Sequence, residues 1–250
     1  MNYSIDNALE LITDTLVLGE TVCDAAIATQ TDLGGLAAMF LARAGQSTYS
    51  AGYLAQHGLN GDAMSVARTA TELSIDFRYI ANDVDARIKK FSEYDHVAKF
   101  RIAEATEKLH DGQVDQQAMR ILEQRHDTAQ SNNPESTHNW AGESIRARAI
   151  EIDRLRTYQL PYADMCNASH SCYGSLEYAL VGLNIRWGRM EPDTKGPDLA
   201  FAAMTVLIAD VIDACKLDPE LGARIKALHD KRKSYSENWP VTPATGGNPA

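Results

Sequence analysis

Arg68 and Glu72 stand four residues apart in the stretch DAMSVARTATELSIDFRYIA, residues 62–81, and Tyr162, Cys166 and His170 follow one another at the same spacing later in the chain. On a helix that spacing puts each set on a single face. A guanidinium and a carboxylate so placed can neutralise each other. If covered, they need that neutralisation, because an unpaired buried charge is costly. The imidazole of His170 is the group best suited to proton transfer near neutral pH, and Glu72 or Glu177 could orient it. Arg68 could steady a phosphate or its transition state. His170, Arg68, Glu72 and Tyr162 are therefore the candidate catalytic residues. Cys166, one turn before His170, admits a thiolate–imidazolium pair, although no oxyanion donors are identifiable.

The elements that must position these groups read as helices. No Gly or Pro interrupts 62–81, which follows the turn signal Gly58-Leu59-Asn60-Gly61. Ala63, Val66, Ala67, Ala70, Leu73, Phe77 and Ile80 form one apolar stripe. A second runs through Met64, Arg68, Glu72, Ile75 and Tyr79, so this helix should be covered on both sides. Residues 161–184 read as a long helix started by Pro161. Its core stripe is Met165, Ala168, Cys172, Leu176, Ala179 and Leu183. Beside it lies a polar line, Tyr162, Cys166, Ser169, His170, Tyr173 and Glu177. Such a line can be a pocket lining or a set of buried groups that satisfy one another.

Further helices are expected over 4–29, 35–56, 82–110, 115–129, 140–149, 198–215 and 218–235. The second is rich in Ala and Gly and should be internal, whereas 82–110 is charged with a narrow seam of Ile88, Phe91, Val97, Ile102, Ala105 and Leu109. The run Ser131 to Ser136 carries turn chemistry. No alternating apolar run or hairpin signal is present. The class is all-α, a single multi-helix bundle of about seven to nine helices over 1–235. Residues 236–250, with three Pro and two Gly, form a tail expected to be disordered unless Trp239 docks.

Hydrophobic residues make up 44% of the 250 and charged ones 23%, the balance of a folded chain. No stretch is apolar enough for a membrane span, and no signal peptide is evident, so the expectation is a cytoplasmic protein with no membrane partner. A net charge of −10 argues against broad phosphate binding. A local basic groove stays open, and Arg146, Arg148, Arg154 and Arg156 are one candidate for it. The four cysteines show no zinc spacing, and no HExxH, Walker loop, GxGxxG or GxSxG occurs. No metal and no cofactor are expected. A homodimer, or an RNA or protein partner, is compatible with the sequence.

The combination of Arg68, Glu72 and Tyr79-Ile80, the charged run RIKKFSEYDHV from Arg87, Trp140, and then Tyr158, Tyr162 and His170 resembles a bacterial family, the domain of unknown function numbered 5677. Cys166 stands where Ser or another small residue is expected. The resemblance covers roughly residues 35 to 215 and implies a helical domain in which Arg, Glu, Tyr and His converge. It implies no activity. A looser similarity is to the HEPN-type helical ribonucleases, with their Arg-x4-6-His motif at a dimer interface. Arg120 to His126 and Arg224 to His229 fit that spacing, and neither Arg is followed by the usual polar residue. Three readings follow. The chain is a binding or regulatory domain with a polar inter-helical pocket, a metal-independent ribonuclease or defence effector using His170 and Arg68, or a structural bundle.

Overall fold

A computed structural model describes residues 3–109, 115–136, 139–169, 180–181, 184–185 and 190–237. The chain is all-α, and it divides into two compact units, Met1–Phe77 with Leu155–Ala250, and Arg78–Arg154.

In the first unit α1 (Ile5–Ala28) starts at a capping box, with Asn7 N–H donating to Ser4 Oγ at 3.4 Å and Ser4 N–H donating to Asn7 Oδ1 at 3.0 Å. Helix α2 (Asp32–Gln56) begins earlier than its Gly34-Gly35 pair suggests, because Thr31 Oγ1 accepts from Gly34 N–H at 3.0 Å and caps it. Helices α1 and α2 pack on each other and on α9 (Lys195–Ala214), while α10 (Glu220–Glu237) packs on α1 and α9. Leu11, Leu18, Leu41, Phe201, Leu207 and Ile208 form the dry centre. Tyr3 donates to Asp198, and Lys231 bridges Glu10 and Asp14 at 2.6 Å each.

Between α2 and α3 (Asn60–Ala81), Gly58 has φ +73°, which only glycine adopts without strain. Met190 N–H donates to Gly58 O at 2.9 Å, and Asn60 Nδ2 donates to Glu191 O at 2.9 Å, so this junction anchors a distant segment of the same unit. Within 60–77, Ala63, Met64, Ala67, Ala70, Ser74, Ile75 and Phe77 are all buried, and the Phe77 ring meets Phe40 at 5.7 Å. The apolar members of the second stripe, Met64, Ile75 and Tyr79, are buried like the first, while Arg68 and Glu72 between them stay part-exposed. Helix α2 departs from the internal role expected of it. Met39, Ala42, Tyr49 and Tyr53 emerge on one face, while Ala37, Ala38, Ala44, Ala51, Gly52 and Ala55 turn inward.

The helix expected over 161–184 is present as α8 (Ala163–Ser169) and departs from the expectation at its two ends: a three-residue α7 (Leu155–Thr157) and a π-helical turn over Tyr158–Tyr162 lead into it, and an extended pair stands at its far limit. Residues 170–179 lie outside the described set, and Leu180–Val181 pairs antiparallel with Asn184–Ile185. Leu180, Val181 and Ile185 suit an extended backbone, and Pro161 has no N–H to give to an α-helical ladder. Helix α10 continues to Glu237, two residues past the expected Tyr235, and Trp239 with the rest of 238–250 is outside the described residues.

The second unit contains α4 (Val84–Leu109), α5 (Gln116–Asn132) and α6 (Ile145–Glu151), with α4 against α5. Asp115 Oδ1 caps α5 by accepting from the N–H groups of Gln117 and Ala118. The seam expected on α4 closes only at Val97. Ile102 and Leu109 are 68% and 81% exposed, so α4 is covered only in part.

Candidate functional site

Arg68 and Glu72 occupy consecutive turns of α3, and Arg68 Nε donates to Glu72 Oε1 at 2.8 Å. Tyr162, the last residue of the π turn, is 4% exposed, and its hydroxyl donates to the same Glu72 oxygen at 2.5 Å. That hydroxyl also accepts from Arg68 Nε at 3.2 Å. The guanidinium carbon lies 5.2 Å from the Tyr162 ring centre, within cation–π range. Tyr158 stacks on Tyr162 with ring centres 4.5 Å apart and planes 25° apart. Thr71, one turn along α3, donates to Met165 Sδ at 3.9 Å, which ties α8 to the same helix. The cluster thus joins two segments widely separated in sequence.

Its electrostatics follow from burial and pairing. Desolvation lifts the Tyr162 hydroxyl far above an ordinary phenol, and the bond to Glu72 and that residue's charge lift it further, against the opposing pull of Arg68. Tyr162 therefore holds its proton and acts as a donor. Burial would lower Arg68, but Tyr162 and Glu72 outweigh it and the guanidinium is held above its usual range. The Arg68 and Glu72 side chains keep 24% and 35% of their surface exposed, so the pair has a wet edge and a dry one.

His170, proposed from sequence as the proton-transfer group, lies outside the described residues. Cys166 is half-buried, one turn beyond Tyr162. The structure thus brings Arg68, Glu72 and Tyr162 together.

A second cluster, in the 78–154 unit, was not anticipated. The Arg87 guanidinium lies 3.6 Å from the Tyr79 ring centre, donates to Tyr79 O at 2.6 Å and pairs with Glu151 at 2.5 Å. Tyr79 donates to Glu143 Oε1 at 3.1 Å, and burial followed by that bond pushes its hydroxyl up to about 12. Trp140 meets Tyr79 and Phe91 edge-on at 5.7 and 5.1 Å. Arg148, one of the four arginines of the expected basic groove, is instead 6% exposed, packs 5.5 Å from the Trp140 ring centre and donates to Glu143 O at 2.7 Å. Phosphate could not reach it without displacing that packing. The only sequence signal for this cluster was the motif group Tyr79, Arg87 and Trp140, whose residues meet here. Among the charges of α4, Arg87 makes these contacts and Lys90 pairs with Glu135 at 2.6 Å.

Of the two Arg–His pairs, His126 leans on Phe100 at 4.7 Å and bonds Asp127 at 3.0 Å. His229 meets Phe201 at 5.5 Å, and burial, with Arg232 beside it, lowers its pKa. Arg120 and Arg224 are exposed. Among the described residues no group of three or more His, Cys, Asp or Glu is placed to hold a metal ion, and no helix is long and apolar enough to cross a membrane.

Fold and cluster together define an all-α protein in which a buried tyrosine clamps an intrahelical Arg–Glu pair. The chain belongs to the family of unknown function DUF5677, whose model matches residues 35–184 and so spans both clusters. No curated protein and no solved structure matches it, and the similarity to HEPN-type ribonucleases therefore rests on Arg–His spacing alone.

Proposed function

We propose that the chain is a helical binding and regulatory domain whose contact point is the polar Arg68–Glu72–Tyr162 cluster between α3 and the 158–169 segment. One observation carries this reading: a π-helical turn delivers a buried Tyr162 onto a part-exposed ion pair. Single π turns are rare and are found frequently at functional sites. An anion arriving at the wet edge would compete with Glu72 for the guanidinium. Tyr162, bonded to the same carboxylate oxygen, would have to follow. Occupancy is thereby coupled to the 158–169 segment, a local change of contacts of the kind a switch uses. No proton is asked of Tyr162, which suits binding better than turnover.

The alternative, His170 as general base with Arg68 steadying a phosphate in a metal-independent ribonuclease, is separated by one experiment. The full chain is titrated with inorganic phosphate while its melting temperature is followed, and it is incubated with a short single-stranded RNA. Binding predicts that phosphate raises the melting temperature, that Arg68→Gln abolishes the rise, and that the RNA stays intact. RNA cleavage that disappears in His170→Ala would assign the site to the hydrolase instead. A melting temperature indifferent to phosphate, in a chain that Arg68→Gln simply destabilises, would leave only the structural bundle.

A further inference from the structure

We propose that the cleft between α1 and α2 is a binding site for a small amphipathic cation, an apolar or aromatic body carrying one ammonium group. The cleft lies in the first unit and is independent of the Arg68 cluster. Its volume is about 420 Å³, which falls within the size range of small-molecule sites. Leu16 and Leu41 supply apolar walls, and Met204 of α9 closes the floor. Glycine makes the depth possible. A Cβ on Gly19 would stand 2.8 Å from Met204 Cε, and one on Gly45 would stand 3.4 Å from Leu16 Cδ2.

The charge of the lining decides the ligand class. Glu20 and Asp24, one turn apart on α1 and both exposed, line the cleft, and no Lys or Arg does. Neither carboxylate has an ion-pair partner among the described residues. The basic residue nearest along α2, Arg43, donates to Gln46 Oε1 at 3.4 Å and is not part of the lining. Burial raises the Cys23 thiol, and the negative charges of Asp24 and Glu20 raise it further, so the wall between them is a neutral thiol. Tyr49, also in the lining and 61% exposed, adds an aromatic face for a cation. An anion of the same size would meet two carboxylates and no compensating base.

The test is calorimetric titration of the full chain with naphthylmethylammonium and, separately, with naphthylacetate. The cation should bind saturably and the anion should not. Joint Glu20→Gln and Asp24→Asn substitution should weaken the cation by roughly tenfold. Ala42→Phe, at an exposed lining position that leaves the core untouched, should abolish binding. Bound cation should also slow alkylation of Cys23 by iodoacetamide, read by peptide mass spectrometry. Equal binding of the anion, no saturable binding of the cation, or an affinity unchanged by Ala42→Phe would overturn the assignment.

Discussion

Tyr162 donates its hydroxyl to Glu72 Oε1 at 2.5 Å, across ninety positions of sequence, onto an oxygen already paired with Arg68. One carboxylate oxygen thereby holds a helical ion pair and a distant segment together. Alone, the Arg68–Glu72 pair would be a part-exposed i,i+4 salt bridge contributing a few tenths of a kcal/mol. The buried phenol changes its weight, because a hydroxyl removed from water must keep its partner.

A double-mutant cycle measures that weight. Tyr162→Phe should cost about 1–3 kcal/mol in urea unfolding. Combined with Glu72→Gln, the two changes should be non-additive by about 0.5–3 kcal/mol. Strict additivity would mean that the bond contributes nothing to the native state.

Alkaline stability should fall from about pH 10 upward. The folded-state pKa of Tyr162 is raised above its unfolded value of 10.0, and Tyr79 is raised to about 12. Between those limits the unfolded chain loses protons that the native state keeps, so unfolding becomes more favourable as pH rises. Below pH 10 the contribution is fully present. Melting temperature against pH, with tyrosinate absorbance followed in parallel, should show a decline that is shallower in Tyr162→Phe. A flat profile to pH 12 would contradict the hydrogen bonds that Tyr162 donates to Glu72 and Tyr79 to Glu143.

Gly58→Ala should be among the most damaging single changes in the first unit. Its φ of +73° alone costs a non-glycine residue about 1–3 kcal/mol. The new Cβ would also stand 2.0 Å from the Met190 carbonyl oxygen, a backbone atom that cannot rotate away. The urea midpoint should drop clearly, whereas Gly35→Ala, whose Cβ meets nothing within 4 Å, should leave it nearly unchanged. Equal effects at the two positions would show that the α2–α3 junction relaxes freely.

Local chemistry by itself determined the helices: the Ser4 cap, the apolar repeats of α1 and α9, and the uninterrupted 62–81 run all act within a few residues. It also determined that Arg68 and Glu72 share a face, because four residues make about one turn of helix. The π turn at Tyr158–Tyr162 and the pairing of Leu180–Val181 with Asn184–Ile185 were not legible, since the helical period of the sequence runs through both positions. Nor was the second cluster, because Arg87 and Lys90 read as ordinary surface charge until Tyr79, Glu135 and Glu151 approach them. Periodicity tells which residues share a face. Only the tertiary structure decided that Tyr162 would close over Arg68 and Glu72, because that depends on which distant segment is packed against the face and leaves its hydroxyl no better partner.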